Sequence, residues 1–212
     1  QPQIYRQILN AYNSADCIIR TQPAMPMSGL ATETVGPIAL AGSNRHQFLC
    51  EKLPLADNTR LVLASMGGIK TDINIKAWPV IEGVQYLIDG QAPDDRDDIS
   101  SLQGIDISFI DALCSADLLL TKPGYGSFSQ AACNRTAVLY VERPDWPEHS
   151  YLCDWLKHHS PCASITQQQF CDGHFASELI SLLEQEIPPT MPDSGLDDAI
   201  RILLHKFDLT EN

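Results

Sequence analysis

The chain has 212 residues, 44% of them hydrophobic and 19% charged, with 14 Lys and Arg against 27 Asp and Glu. That length supports a sizeable core, as one large domain or one domain with appendages. A net charge of -13 excludes a nucleic-acid surface, which needs a basic face, and makes an anionic membrane a poor partner. A nucleotide is not excluded, because a few backbone N–H groups and one Lys can hold a diphosphate on an acidic protein.

The seven cysteines are odd in number and show no CxxC or zinc spacing. They read as reduced thiols of a cytoplasmic protein. The six histidines form no HxxxH or HExxH pattern, so no metal is expected. There is no signal peptide and no long apolar span, hence no membrane insertion is expected of this stretch. The sequence starts without Met and inside a helical pattern, as expected of a piece of a longer protein.

In chain order, residues 3–14 place Ile4, Ile8, Leu9 and Tyr12 on one helical face. Asp16–Arg20 is a short strand candidate, and Pro23, Pro26 and Gly29 then enforce a loop. Residues 44–53 read as helix. Arg60–Ser65 is a buried-strand candidate, followed at once by Met66-Gly67-Gly68, a turn by default and a ligand loop if another joins it. Val84–Asp89 is the second strand. The run Asp94-Asp95-Arg96-Asp97-Asp98 lacks calcium-loop spacing and reads as a solvated loop. Ile105–Ser108 is a third strand candidate, and Phe109–Leu113 starts a short helix that packs the sheet. Beyond residue 137 the pattern gives a strand over 137–141, a helix over 150–158 with Tyr151, Leu152 and Trp155 as a core stripe, and a short strand over 163–165. A helix over 175–184, a stiff linker through Pro188, Pro189 and Pro192, and a last helix over 196–207 complete it. That last helix carries an apolar stripe of Leu196, Ile200, Leu203, Leu204 and Phe207.

The stretch Leu118–Ala132 organises the chain. Its apolar run Leu118–Thr121 suits a buried strand. It breaks at Lys122-Pro123-Gly124-Tyr125-Gly126, and Ser127 with Gln130 three residues on has the pattern of a capping box. Strand, glycine turn, helix in that order puts free N–H groups and a positive helix end at the C-terminal edge of a parallel sheet, where anions bind. The alternative is an ordinary strand-to-helix turn, with the glycines serving only to permit φ > 0.

The segments Ser115–Gln130 and Ala137–Leu152 resemble the donor-binding half of GT-B glycosyltransferases. The likeness is nearest to the family that adds N-acetylglucosamine to the peptidoglycan lipid precursor, and to glycosyltransferase-like domains related to it. It is specific over residues 105–156 and looser over about 30–90. The resemblance implies an α/β, Rossmann-like doubly wound fold, with a mostly parallel sheet and helices on both faces, forming one half of a GT-B molecule. It implies residues 1–35 as the tail of a mostly missing N-terminal acceptor domain, because a similar Val35-Gly36-Pro37 segment precedes the crossing between halves. Residues 36–187 would be the donor domain and 188–212 a linker and C-terminal helix.

The same resemblance implies the site. Ser65, Gly67, Gly68, Lys122, Gly124, Tyr125, Gly126 and Ser127 would face the donor diphosphate. Phe109, Ile110 and Gln130 would meet base and ribose, and Asp145, Glu148 and His149 the sugar. The expected partner is a nucleotide sugar, a UDP-sugar by this likeness, with no separate cofactor and no metal. Diphosphate charge would be met by helix N-termini and backbone N–H groups. Gln130 stands where the family has Glu, Ala137 where it has Pro, and Arg135-Thr136 where it has Gly-Leu or Lys-Leu. These departures suit a non-catalytic, regulatory module as an alternative. A sugar-nucleotide epimerase or hydrolase on the same fold stays open. An NAD fingerprint would begin at Gly124-x-Gly126, but Ser129 occupies its third glycine position.

Overall fold

The computed structural model describes residues 2–67, 74–187 and 195–208. By internal packing the chain forms two units, Leu40–Met191 and Gln1–Ala39 with Pro192–Asn212. The smaller unit starts with helix α1 (Pro2–Asn13) and continues into strands β1 (Ile19–Thr21) and β2 (Glu33–Val35), which pair in parallel. The stripe expected to bury one face of α1 does not: Ile4, Tyr5, Ile8 and Tyr12 are exposed and Leu9 is half-buried.

The larger unit opens with α2 (His46–Lys52) and three strands, β3 (Arg60–Ala64), β4 (Val84–Ile88) and β5 (Ile99–Ser101). It continues through α3 (Phe109–Ser115), β6 (Leu118–Thr121), α4 (Tyr125–Cys133), β7 (Ala137–Val141), α5 (His149–His159) and β8 (Cys162–Ile165). It closes with α6 (Gln167–Asp172) and α7 (Ala176–Leu183). The six strands of this sheet are all parallel, in the order β5-β4-β3-β6-β7-β8. The chain winds outward from β3 to β5, returns, and winds the other way from β6. Its reversal point therefore lies between the C-terminal ends of β3 and β6.

Both faces of this sheet are covered, which is why every position of β4, β6 and β7 is buried and all but Gln85 and Thr121 are apolar. Successive strand residues go to opposite faces. Leu61, Leu63, Leu119, Val138 and Tyr140 share one core with Leu113, Phe128, Leu152 and Leu156 from α3, α4 and α5. Val62, Leu118, Leu120, Leu139 and Val141 share the other with Trp78, Phe170, Phe175 and Leu179.

Three expectations fail here for physical reasons. Residues 105–108 are not a strand: Ile107 turns back to bond Ile105, and Ser108 caps α3. The edge strand is instead β5, after the acidic loop. Its sequence Ile-Ser-Ser has too little apolar character to be visible, and Ser100 is held by Gln85 from β4 at 2.9 Å. On α5 the buried positions are Leu152, Cys153 and Leu156, whereas Tyr151 is exposed. The acidic loop is partly tied down, because Arg96 grips Asp98 through two bonds of 2.7 and 2.6 Å and donates to the carbonyls of Ile75 and Lys76.

One further helix closes the smaller unit. In α8 (Gly195–Lys206) it is Gly195 and Ala199 that are buried, not the expected stripe; Leu196, Ile200, Leu203 and Phe207 are exposed. A side chain at Gly195 would collide with the carbonyl oxygens of Gly36 and Pro37, so the small residues select the packed face. The linker prolines 188, 189 and 192 lie outside the described residues.

Candidate donor site at the strand reversal

The strand ends that meet at the reversal point are joined by hydrogen bonds. The Ser65 N–H donates to the Leu120 carbonyl at 2.9 Å, and Thr121 Oγ1 donates to the Ser65 carbonyl at 2.6 Å. Thr121 is fully buried, so this bond locks the two loops at their roots. Gly67 then takes φ +65, a left-handed conformation that favours glycine. A Cβ at Gly67 would lie 3.6 Å from Lys122 Cε, so the lysine stem passes over this turn. Gly68 lies outside the described residues. Burial first, and the charge of Arg143 second, hold the Lys122 ammonium below its ordinary value.

Helix α4 begins earlier than the sequence pattern implies. Gly124 is its N-cap, with extended backbone and no side-chain cap, and Tyr125 is its first residue. Ser127 is thus inside the first turn and forms no capping box with Gln130. A residue inside the helix cannot serve as its N-cap, and the Gln130 side-chain oxygen Oε1 accepts instead from the Leu40 N–H at 3.1 Å. The early start leaves the Gly126 and Ser127 N–H groups in the first turn, where a helix offers no internal acceptor. A capping box of the expected type exists at Thr166 and Gln169, at the start of α6, a helix the sequence reading passed over.

Phe109 opens α3 and is exposed, while Ile110 behind it is half-buried. Ser108 caps this helix, accepting from the Asp111 N–H at 3.0 Å. Residues 40–45 run as a strap across α3 and α4. Besides the Gln130 bond, Asn134 accepts from Gly42 N–H at 2.7 Å and donates to Leu40 O at 2.9 Å and Gln130 O at 2.8 Å. Asp111 accepts from Ser43 N–H at 2.8 Å, and Ser115 Oγ from Arg45 N–H at 2.7 Å. The Ser43 N–H first, and the Ser108 hydroxyl second, hold the Asp111 carboxyl below its ordinary value of 3.8. Gly42 is required by closeness, since a side chain there would meet the Ile110 carbonyl and Cys114.

The strap was not visible in the sequence; an Asn at a helix C-cap is its only local trace. Asn134→Ala would remove both strap bonds and leave the Gly42 N–H unpaired, an expected loss of about 2–3 kcal/mol. Denaturant unfolding would register it as a lower midpoint, with Gln130→Ala costing less. The residue after Asn134 is also informative: Arg135 has φ +59, a conformation that favours glycine, one of the two residues expected there from the resemblance.

The three sugar-loop residues do not act as one cluster. Asp145 and Glu148 are exposed, and Glu148 accepts from the Trp146 indole N–H at 3.3 Å. His149 turns inward, its ring 3.7 Å from Cys153 Sγ and edge-on to Tyr140 at 6.4 Å. It lines a cavity of about 450 Å³ shared with Glu142, Cys153, Lys157 and Ser164. Among the described residues no three His, Cys, Asp or Glu side chains converge as metal ligands. No described helix is long and apolar enough to cross a membrane.

By sequence, no family model and no curated protein matches this chain. By structure, it matches the calicheamicin glycosyltransferase CalG4 with TM-score 0.56 and 13% identity, covering 96% of this chain and 54% of that one. It matches the spinosyn forosaminyltransferase SpnP with TM-score 0.58 and 10% identity, covering 92% of this chain and 51% of that one. The fold is that of about one half of a GT-B glycosyltransferase, a Rossmann-like unit with a parallel sheet. The chain spans about half the length of each of these two solved structures.

Proposed function

We propose that this chain is the donor-binding part of a glycosyltransferase that uses a nucleotide sugar. The observation that carries the reading is the convergence at the strand reversal. The left-handed turn at Gly67, the Lys122 stem above it and the uncapped start of α4 come together where open α/β sheets bind ligands. The first-turn N–H groups of α4 and the ammonium would stabilise charge developing on the departing diphosphate without a metal. Phe109 and Ile110 at the start of α3 would meet the base, and the residues after β7 the sugar. A UDP-sugar and a hexosyl or N-acetylhexosaminyl group follow from the sequence likeness to the peptidoglycan-precursor enzymes. We further propose a cytoplasmic protein whose acceptor half lies in the remainder of a longer chain. Exposed Ile4, Tyr5, Ile8 and Tyr12 on α1 suit a surface that such a remainder covers. On this reading the 212-residue chain binds nucleotide weakly and transfers nothing alone.

One observation favours a non-catalytic module instead. The Gln130 side-chain oxygen already accepts from Leu40, which ties this residue to the strap and leaves one lone pair and its NH₂ donors for a ligand. Calorimetric titration with UDP, GDP, TDP and NAD tests the donor reading. Saturable binding of UDP in preference to NAD is expected. A folded sample that binds no nucleotide would overturn the reading for this chain.

A further inference from the structure

The sequence motifs select one cation for the diphosphate, Lys122. The sheet brings a second beside it. Strands β6 and β7 are parallel neighbours with Thr121 opposite Tyr140, so both chains leave the sheet at the same edge. Leu120 and Val141 point into the same core, and Lys122 and Arg143 each follow two residues later, where the two neighbouring strands leave the sheet. The carboxylate next to Arg143 in sequence is engaged elsewhere: Glu142 accepts from Ser164 at 2.8 Å. The ion pairs among the described residues use Arg60, Lys76, Arg96, Lys157 and Arg201, and neither Lys122 nor Arg143 joins one. Among the described residues, then, two half-buried cations at this sheet edge have no carboxylate partner, in a chain of net charge -13. Their mutual repulsion is felt at Lys122, whose ammonium Arg143 helps to depress. Such a pair costs stability unless an anion neutralises it.

We propose that Arg143 is a phosphate-binding residue, which with Lys122 forms a two-cation clamp for the pyrophosphate group of a nucleoside diphosphate. The inference rests on the donor reading and adds to it a residue that the motifs do not assign. Arg143 suits the role chemically. Its guanidinium sits 5.2 Å from the centre of the Trp146 ring, which supports one face and leaves the planar N–H fork free for two phosphate oxygens.

The test is calorimetric titration of the chain with UDP, TDP, uridine and inorganic pyrophosphate. Wild type is expected to bind pyrophosphate in competition with the nucleoside diphosphate. Arg143→Gln should weaken pyrophosphate and the diphosphate alike, by about tenfold to a hundredfold, the range of a charged hydrogen bond, and leave uridine unchanged. Lys122→Met should act in the same direction. Arg135→Gln, at the other end of β7, removes the same charge and should leave all ligands within about twofold of wild type, while thermal unfolding confirms that each variant folds. Diphosphate binding that Arg143→Gln leaves unchanged, or that pyrophosphate does not displace, overturns the clamp and leaves the donor reading standing. Failure of wild type to bind either diphosphate overturns both.

Discussion

Ser127→Glu is expected to abolish most nucleotide binding while leaving the fold intact. The residue is the third of α4, in the turn whose N–H groups would face the diphosphate. A carboxylate there would stand against the phosphate charge. Two unit charges about 4 Å apart interact by about 4 kcal/mol at an effective dielectric near that of a protein surface. Screening reduces this, and an affinity loss of about tenfold to a hundredfold is the expected result. The same carboxylate favours the helix, because an acid in the first turn contributes about 0.3–1 kcal/mol through the dipole. Unfolding temperature should therefore hold or rise as affinity collapses, which separates a site effect from damage. Titration with UDP beside a thermal melt measures both. Unchanged affinity in Ser127→Glu would mean that the ligand does not sit at this helix end.

Gly173→Ala is expected to give the largest stability loss among substitutions that remove no contact. Gly173 ends α6 with φ +73, and an added Cβ would fall inside the contact radius of the Ala77 carbonyl. The turn it makes holds a cluster in place. Trp78 packs on Phe170 at 5.9 Å and Phe175 at 6.4 Å, residues on either side of the glycine, and on Tyr86 of β4 at 5.2 Å. The left-handed backbone costs a non-glycine residue about 1–2 kcal/mol. Displacing the backbone from a packed core adds about 1–3 kcal/mol. A total of about 2–5 kcal/mol should lower the denaturant midpoint sharply. Gly104→Ala is the matched control, since Gly104 has φ +82 with open space around it and should show the backbone cost alone. Equal losses in the two variants would mean that the Ala77 contact is relieved at no cost.

The sheet was legible residue by residue where both of its faces are buried. Strands β3, β4, β6 and β7 announce themselves because nearly every position must be apolar whichever way it points, with Arg60, Gln85 and Thr121 as the polar exceptions. The edge strand β5 was not, because Ile-Ser-Ser at a sheet margin satisfies its polar groups through Gln85 and so carries no apolar signal. The two S/T-x-x-Q patterns are equally instructive. Thr166–Gln169 forms a capping box; Ser127–Gln130 does not, because α4 starts earlier, at Tyr125, and Gln130 bonds Leu40, ninety residues away in sequence. A local pattern predicts a local bond only when its first residue falls at the helix boundary.

The alternation of strands and helices, the glycine turns after Ser65 and Lys122, and the acidic composition can be read from the chain alone. Each depends on neighbours in the chain and on the period at which side chains face a core. That Gly67 and Lys122 meet across the strand reversal follows from the fold and not from the local pattern. The fold likewise puts Asn134 and Asp111 under the strap and makes β6 and β7 neighbours, so that Lys122 and Arg143 leave one sheet edge. The strand order β5-β4-β3-β6-β7-β8 makes neighbours of segments such as β3 and β6, about sixty residues apart. No local periodicity encodes that order. It arises when two long apolar runs must each bury both faces, and the chain can do so only by winding helices over both sides of one sheet.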